Sequence, residues 1–176
     1  MALLELDRAR IERFLARAAD RLDGDWLLVG GAAAAVWFAP DRTTEDIDLV
    51  GREGTNAERL RLMEVAEEEG LPVEAVNSAA DFFVRRIPGW DAAGVVLRRG
   101  ATATIHRPVA TTFLLLKINR LSEQDLDDCL ALLAWCGRHG EPVDRDRVRA
   151  AVAALRPTND PALADRRREL DAALAS

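Results

Sequence analysis

Tyrosine is absent from the 176-residue chain, cysteine occurs twice and lysine once. No hydrophobic run approaches the ~20 residues that a membrane span needs, and no basic stretch leads into an apolar segment at the start of the sequence. The expectation is a soluble, cytoplasmic protein with no membrane partner. Aromatic residues make up only 5% of the chain, too few for a surface that stacks successive bases of a single strand. Cys129 and Cys136 stand seven apart in an apolar helical pattern, where the helical rise holds their backbones too far apart for a disulfide. They read as core thiols.

A strongly basic balance is lacking too. Thirty acidic residues against 24 basic ones leave a net charge of −6, which excludes coating of nucleic acid by bulk charge and leaves room only for a local basic site. Such a region exists in the sequence: from Arg85 to Arg120 there are seven bases and one acid, Asp91, a field suited to a triphosphate or an RNA. All the bases but Lys117 are arginine. Lys117 follows an apolar block, so its stem is expected to be packed and its ammonium directed at a specific partner.

What is present reads as an ordinary globular chain, 49% hydrophobic and 31% charged. Periodicity and breakers predict the order αβαβα(α)ββαααα. Helices are expected over 7–22, 32–38, 56–69, 78–86, 108–121, 122–135, 145–155 and 161–175, with Gly137 as a stop. Strands are expected over 26–29, 46–50, 95–98 and 101–106, the last two as a hairpin. The fold class is α/β (α+β), a small mixed sheet flanked by helices with a helical C-terminal half. A core over 1–137 with a helical extension over 138–176 is the expected division.

Two local features could carry chemistry. Asp46-Ile47-Asp48 lies in an alternating stretch, where a period of two places both carboxylates on one face; hard oxygen donors at that spacing suit Mg²⁺. An edge strand with a polar face is the structural alternative. Gly30-Gly31 separates a strand from a helix, where missing side chains let phosphate oxygens reach backbone N–H groups. The third glycine of a dinucleotide fingerprint is missing.

Val29-Gly30-Gly31-Ala32 followed by Arg42-Thr43-Thr44-Glu45-Asp46-Ile47-Asp48-Leu49 resembles the signature of the polymerase-beta-type nucleotidyltransferases. Within that superfamily the chain is most similar to minimal enzymes related to AbiEii-type toxins of toxin–antitoxin and abortive-infection systems. The likeness continues through Leu116-Lys117 and Asp125-Leu126-Asp127-Asp128. It implies a nucleotidyltransferase-like fold in which NTP lies at the glycine turn, Asp46 and Asp48 hold Mg²⁺ or Mn²⁺, and Arg42 or Thr44 stand near the phosphates. Lys117 would assist, and Asp128 matches a downstream acidic motif. The implied reaction moves a nucleoside monophosphate to a hydroxyl of RNA or protein, with a cognate antitoxin as a further partner.

Two departures accompany the resemblance. Ala32 stands where many members have serine, and no Asp or Glu occurs between Ala92 and Ser122, where a third carboxylate is expected. His106, on a strand face with Thr104, is the candidate substitute as ligand or base. Two alternative functions follow: a catalytically degenerate nucleotide-binding or protein-interaction module on the same fold, and a structural domain with an ornamental D-x-D.

Overall fold

The computed structural model describes residues 5–91 and 94–176. The chain divides into two compact units between Val109 and Ala110.

The first unit opens with helix α1 (Arg8–Arg21), whose N-cap Asp7 accepts a hydrogen bond from Arg10 N–H and whose buried stripe is Ile11, Phe14, Leu15, Ala18 and Ala19. Strand β1 (Gly24–Val29) runs into α2 (Gly30–Trp37), an alanine-rich helix buried along Ala32–Ala35. Strand β2 (Ile47–Gly51) precedes α3 (Asn56–Glu68), which Thr55 and Glu58 start with a capping box. A single 3₁₀ turn leads to the two-residue strand β3 (Val76–Asn77), then the one-turn helix α4 (Asp81–Val84) and the hairpin β4 (Gly94–Arg99) and β5 (Ala103–Pro108).

The five strands form one mixed sheet in the order β3-β2-β1-β5-β4. β1 is antiparallel to β2 and parallel to β5, β2 is parallel to β3, and β4 is antiparallel to β5. α1 packs on β5, and α2 on β1 and β2.

Strand register sorts the side chains into two faces. One carries Trp26, Leu28, Ile47, Leu49, Val76, Ala103 and Ile105, all buried. The other carries Asp25, Leu27, Asp48, Val50, Asn77, Thr104 and His106. Fully burying one large aliphatic side chain contributes about 1.5–3 kcal/mol; the first face is apolar, while the second mixes buried Leu27 and Val50 with polar groups.

The second unit is helical: α5 (Ala110–Lys117), α6 (Glu123–His139), α7 (Arg145–Ala153) and α8 (Pro161–Ala175). α6 packs on α5 and α8, and α7 on α5 and α8. Cys129 and Cys136 are buried free thiols, and burial above all pushes Cys129 up to about 12. No described helix is long and apolar enough to cross a membrane.

Several boundaries differ from the sequence expectation for identifiable reasons. β3 is too short for periodicity to reveal, and only its ladder with β2 makes it a strand. The expected helix over 78–86 shrinks to one turn that leaves Phe82 and Phe83 exposed. In α3 the buried residues are Leu62, Val65 and Ala66, while Leu60 and Met63 are exposed. α5 begins after Pro108, which closes β5. α6 runs through Gly137 to His139, and Gly140, in the left-handed region at φ 68°, is its stop.

Candidate active site at the glycine turn

β1 delivers the chain to Gly30, which adopts φ +68°, a conformation that only glycine enters at no steric cost. Directly across the ladder, Val29 pairs with Asp48. The consequence is close approach: a Cβ at Gly30 would stand 2.7 Å from Asp48 Oδ2. Gly31 is equally crowded, since a Cβ there would meet Thr44 Oγ1 at 2.8 Å and the Arg42 guanidinium at 3.0 Å. Gly30 is thus required by its backbone conformation and its approach to Asp48, and Gly31 lies against the segment that leads into β2.

That segment is ordered by its own bonds. Thr44 exchanges backbone hydrogen bonds with Leu6, and its hydroxyl lies 3.3 Å from the Asp46 carbonyl oxygen, to which it can donate. The Arg42 guanidinium donates to the Thr43 carbonyl. Asp46 is exposed and stands one residue before β2, while Asp48 is half-buried within it. Gly30, Gly31, Arg42, Thr44 and Asp48 thus converge at the N-terminus of α2.

This place combines a cation, a carboxylate and helix-opening N–H groups. A triphosphate arriving beside Asp48 would meet like charge; at 4 Å one such pair costs about 4 kcal/mol in the partly shielded surroundings of a protein surface. A divalent cation between them reverses the sign. Among the described residues no group of three or more His, Cys, Asp or Glu is placed to hold a metal. Two carboxylates fit a cation of the Mg²⁺ kind, which commonly takes one or two carboxylates and completes its shell with water and substrate phosphates.

Sequence reasoning sought a third ligand after residue 92 and missed the neighbour strand. β3 pairs Asn77 with Asp48 in register, so a neutral amide occupies the same face beside the carboxylate. Its Oδ1 accepts a hydrogen bond from Ala79 N–H at 2.9 Å. The missed signal was Val-Asn-Ser after an apolar stretch, too short to read as a strand.

His106 shares the face but not the cluster. It pairs with Leu27 while Asp48 pairs with Val29, and β1 lies between them, which separates the two backbones by about 12 Å at ordinary strand and residue spacing. Its Nδ1 lies 3.3 Å from the Trp26 carbonyl oxygen and 3.9 Å from Asp25 Oδ1. His106 instead lines a cavity of about 280 Å³ with Asp25, Leu27, Val50, Arg52, Trp90 and others.

Lys117 and Asp128 belong to the helical unit. The Lys117 ammonium donates to Asp125 Oδ1 and Asp128 Oδ2, each at 2.9 Å, and Arg120 grips both oxygens of Asp125. Lys117, Asp125 and Asp128 are all buried. Burial alone would push the Asp125 carboxyl up. The hydrogen bonds from Arg120 and Lys117, the Lys117 charge and the Ser122 N–H outweigh it and hold the group well below its ordinary 3.8.

Part of the expected positive charge between Arg85 and Arg120 is met by internal partners. Arg85 pairs with Asp81, Arg86 covers the Phe82 ring, Arg107 is buried over the Trp37 ring, and Lys117 and Arg120 hold Asp125. Arg98 and Arg99 remain exposed on β4.

Residues 13–111, more than half of the chain, match the family model described as nucleotidyl transferase AbiEii toxin, type IV TA system. The chain belongs to the AbiEii nucleotidyltransferase toxin family. The match spans the glycine turn, Asp46, Asp48 and the whole sheet, and it ends before Lys117 and Asp128. Comparisons with curated proteins and with solved structures gave no match.

Proposed function

We propose that this AbiEii-family chain transfers a nucleoside monophosphate from an NTP to a hydroxyl of RNA or protein. The acceptor hydroxyl loses its proton to water as its oxygen bonds to the α-phosphorus, the bond from that phosphorus to the bridging oxygen breaks, and pyrophosphate leaves. The observation that carries the reading is the contact of Asp48 with Gly30, which sets a carboxylate beside helix-opening N–H groups. Phosphoryl-type transfer requires mainly positioning and charge neutralisation, so this economy of groups suffices.

In this reading Gly30 and Gly31 let Asp48, Thr44 and Arg42 close on the start of α2, where Arg42 and Thr44 serve as donors to the phosphates. Asp46 and Asp48 would hold Mg²⁺ or Mn²⁺, which supplies neutralisation of the developing phosphate charge. Lys117 and Asp128 enter as an assisting pair. Lys117→Arg keeps the charge but not the compact ammonium; it lowers transfer without unfolding if Lys117 assists, and leaves transfer unchanged if the pair is architectural. Membership of a toxin–antitoxin family makes a cognate antitoxin a proposed partner.

Asn77 beside Asp48 favours a second reading, nucleotide binding without turnover, because the neighbouring strand contributes no third charge. One experiment separates the two. Purified protein is incubated with each labelled NTP, Mg²⁺ or Mn²⁺, and total bacterial RNA and protein, beside the Asp46→Ala/Asp48→Ala variant. Label on a macromolecule with the wild type alone, at least about a hundredfold above the variant, supports transfer. Metal-dependent NTP binding without label supports the second reading, and NTP binding indifferent to both aspartates removes both.

A further inference from the structure

The cavity beside His106 lies on the same sheet face as Asp48, one register row along. Its floor is Leu27 paired with Val50, and Val50 is two residues beyond Asp48, about 7 Å at the rise of a strand. That is a step a ribose can bridge. Its volume, about 280 Å³, falls just under the range of about 300–1,000 Å³ for small-molecule pockets, room for one ring system and not for a whole nucleotide.

The lining distinguishes which end of a nucleotide fits. Asp25 and Asp91 border the cavity and oppose a triphosphate there, whereas they accept hydrogen bonds from an uncharged ring. The walls combine the half-buried indole of Trp90, steadied by the Arg85 guanidinium 5.0 Å from its ring centroid, with hydrogen-bonding groups of opposite kind. Asp25 can only accept and Arg52 can only donate, and they stand 3.5 Å apart at the rim, both substantially exposed. A flat apolar surface beside an adjacent acceptor and donor matches a nucleobase, which offers a stacking face and an edge of donors and acceptors.

We propose that this cavity is the base-selecting pocket for the nucleotide whose phosphates lie at Gly30 and Asp48, with Trp90 against the ring and Asp25 and Arg52 reading its edge. The assignment rests on the nucleotidyltransferase reading above and adds to it the place where base identity is sensed. His106, expected near the metal, falls instead on the nucleoside side.

Calorimetric titration of the full chain tests it, using the four NTPs and inorganic tripolyphosphate as a base-free probe, each with Mg²⁺. The proteins are wild type, Trp90→Ala, Asp25→Asn and Asp46→Ala, each checked for a native circular dichroism spectrum. At least one NTP should bind the wild type about tenfold or more tighter than tripolyphosphate. Trp90→Ala should remove most of that advantage, and Asp25→Asn, a mild change at a rim position, should reorder the preference among the four bases. Asp46→Ala should weaken nucleotides and tripolyphosphate alike. Base preference and tripolyphosphate affinity both unmoved by Trp90→Ala and Asp25→Asn, with Asp46→Ala still weakening every ligand, overturns the pocket alone. No NTP binding by the wild type overturns the pocket together with the transferase reading.

Discussion

Two pairs of aspartates close in the sequence, Asp46/Asp48 and Asp125/Asp128, have opposite surroundings. Asp46 and Asp48 sit at the open face of the sheet, one exposed and one half-buried against a glycine turn. Asp125 and Asp128 are buried on α6 and joined to Lys117, with Arg120 closing over Asp125. The spacing of carboxylates in a sequence therefore says little about their use. Cations within the fold bind the helical pair, while Asp48 of the sheet pair lies against the glycine turn that opens α2. A buried ion pair is costly to assemble and far more costly to break, so the two pairs respond differently to substitution.

The largest expected effect is on the helical pair. Lys117→Met leaves two buried carboxylates without their shared cation and should cost about 3–5 kcal/mol, read as a fall in the urea midpoint. If the loss is below about 1 kcal/mol, the contrast between the pairs collapses. Next comes Gly30→Ala, which forces a side chain into the left-handed region at roughly 1–2 kcal/mol and into the Asp48 carboxylate. Nucleotide binding should fall by more than that stability loss explains, measured by titration alongside thermal melting.

The helical pair should also set a pH limit. The folded Asp125 carboxyl titrates below its ordinary value, so as pH falls the unfolded chain takes up the proton first and folding weakens. The stabilisation is complete above about pH 4 and is lost as pH drops through the folded value. Urea midpoints measured from pH 6 to pH 2 should decline below pH 4 in the wild type and decline less in Asp125→Asn. The smallest effect is expected from Asn77→Asp, which would add a third charge beside Asp48. Metal affinity should rise by roughly tenfold, with no change in the melting of the helical unit.

Much of this contrast could be read from the residues. Alternation placed Asp48 on a polar face, and the helix expected from residue 122 does begin there, with Ser122 and Asp125 as its capping box. The partner of Lys117 was legible only as a requirement, because a sequence shows that an ammonium on an apolar helix needs a counter-charge and not which one. The contact between Gly30 and Asp48 depends on strand register, which periodicity does not give. Asn77 was hidden for the same reason: two residues carry no period, and only pairing with β2 reveals them as a strand. His106 was legible as sharing a face with Thr104, since a face follows from parity, whereas its distance from Asp48 follows from which residues pair.

The scarcity of lysine has a practical side. Lys117 is the only lysine in the chain, and its Nζ lies buried between two carboxylates. In the native protein the sole side-chain amine is hidden from acylating reagents and from proteases that cut after lysine. Opening of the helical unit would expose it, so cleavage at this one peptide bond counts unfolding events in the α5–α6 region without any engineered label.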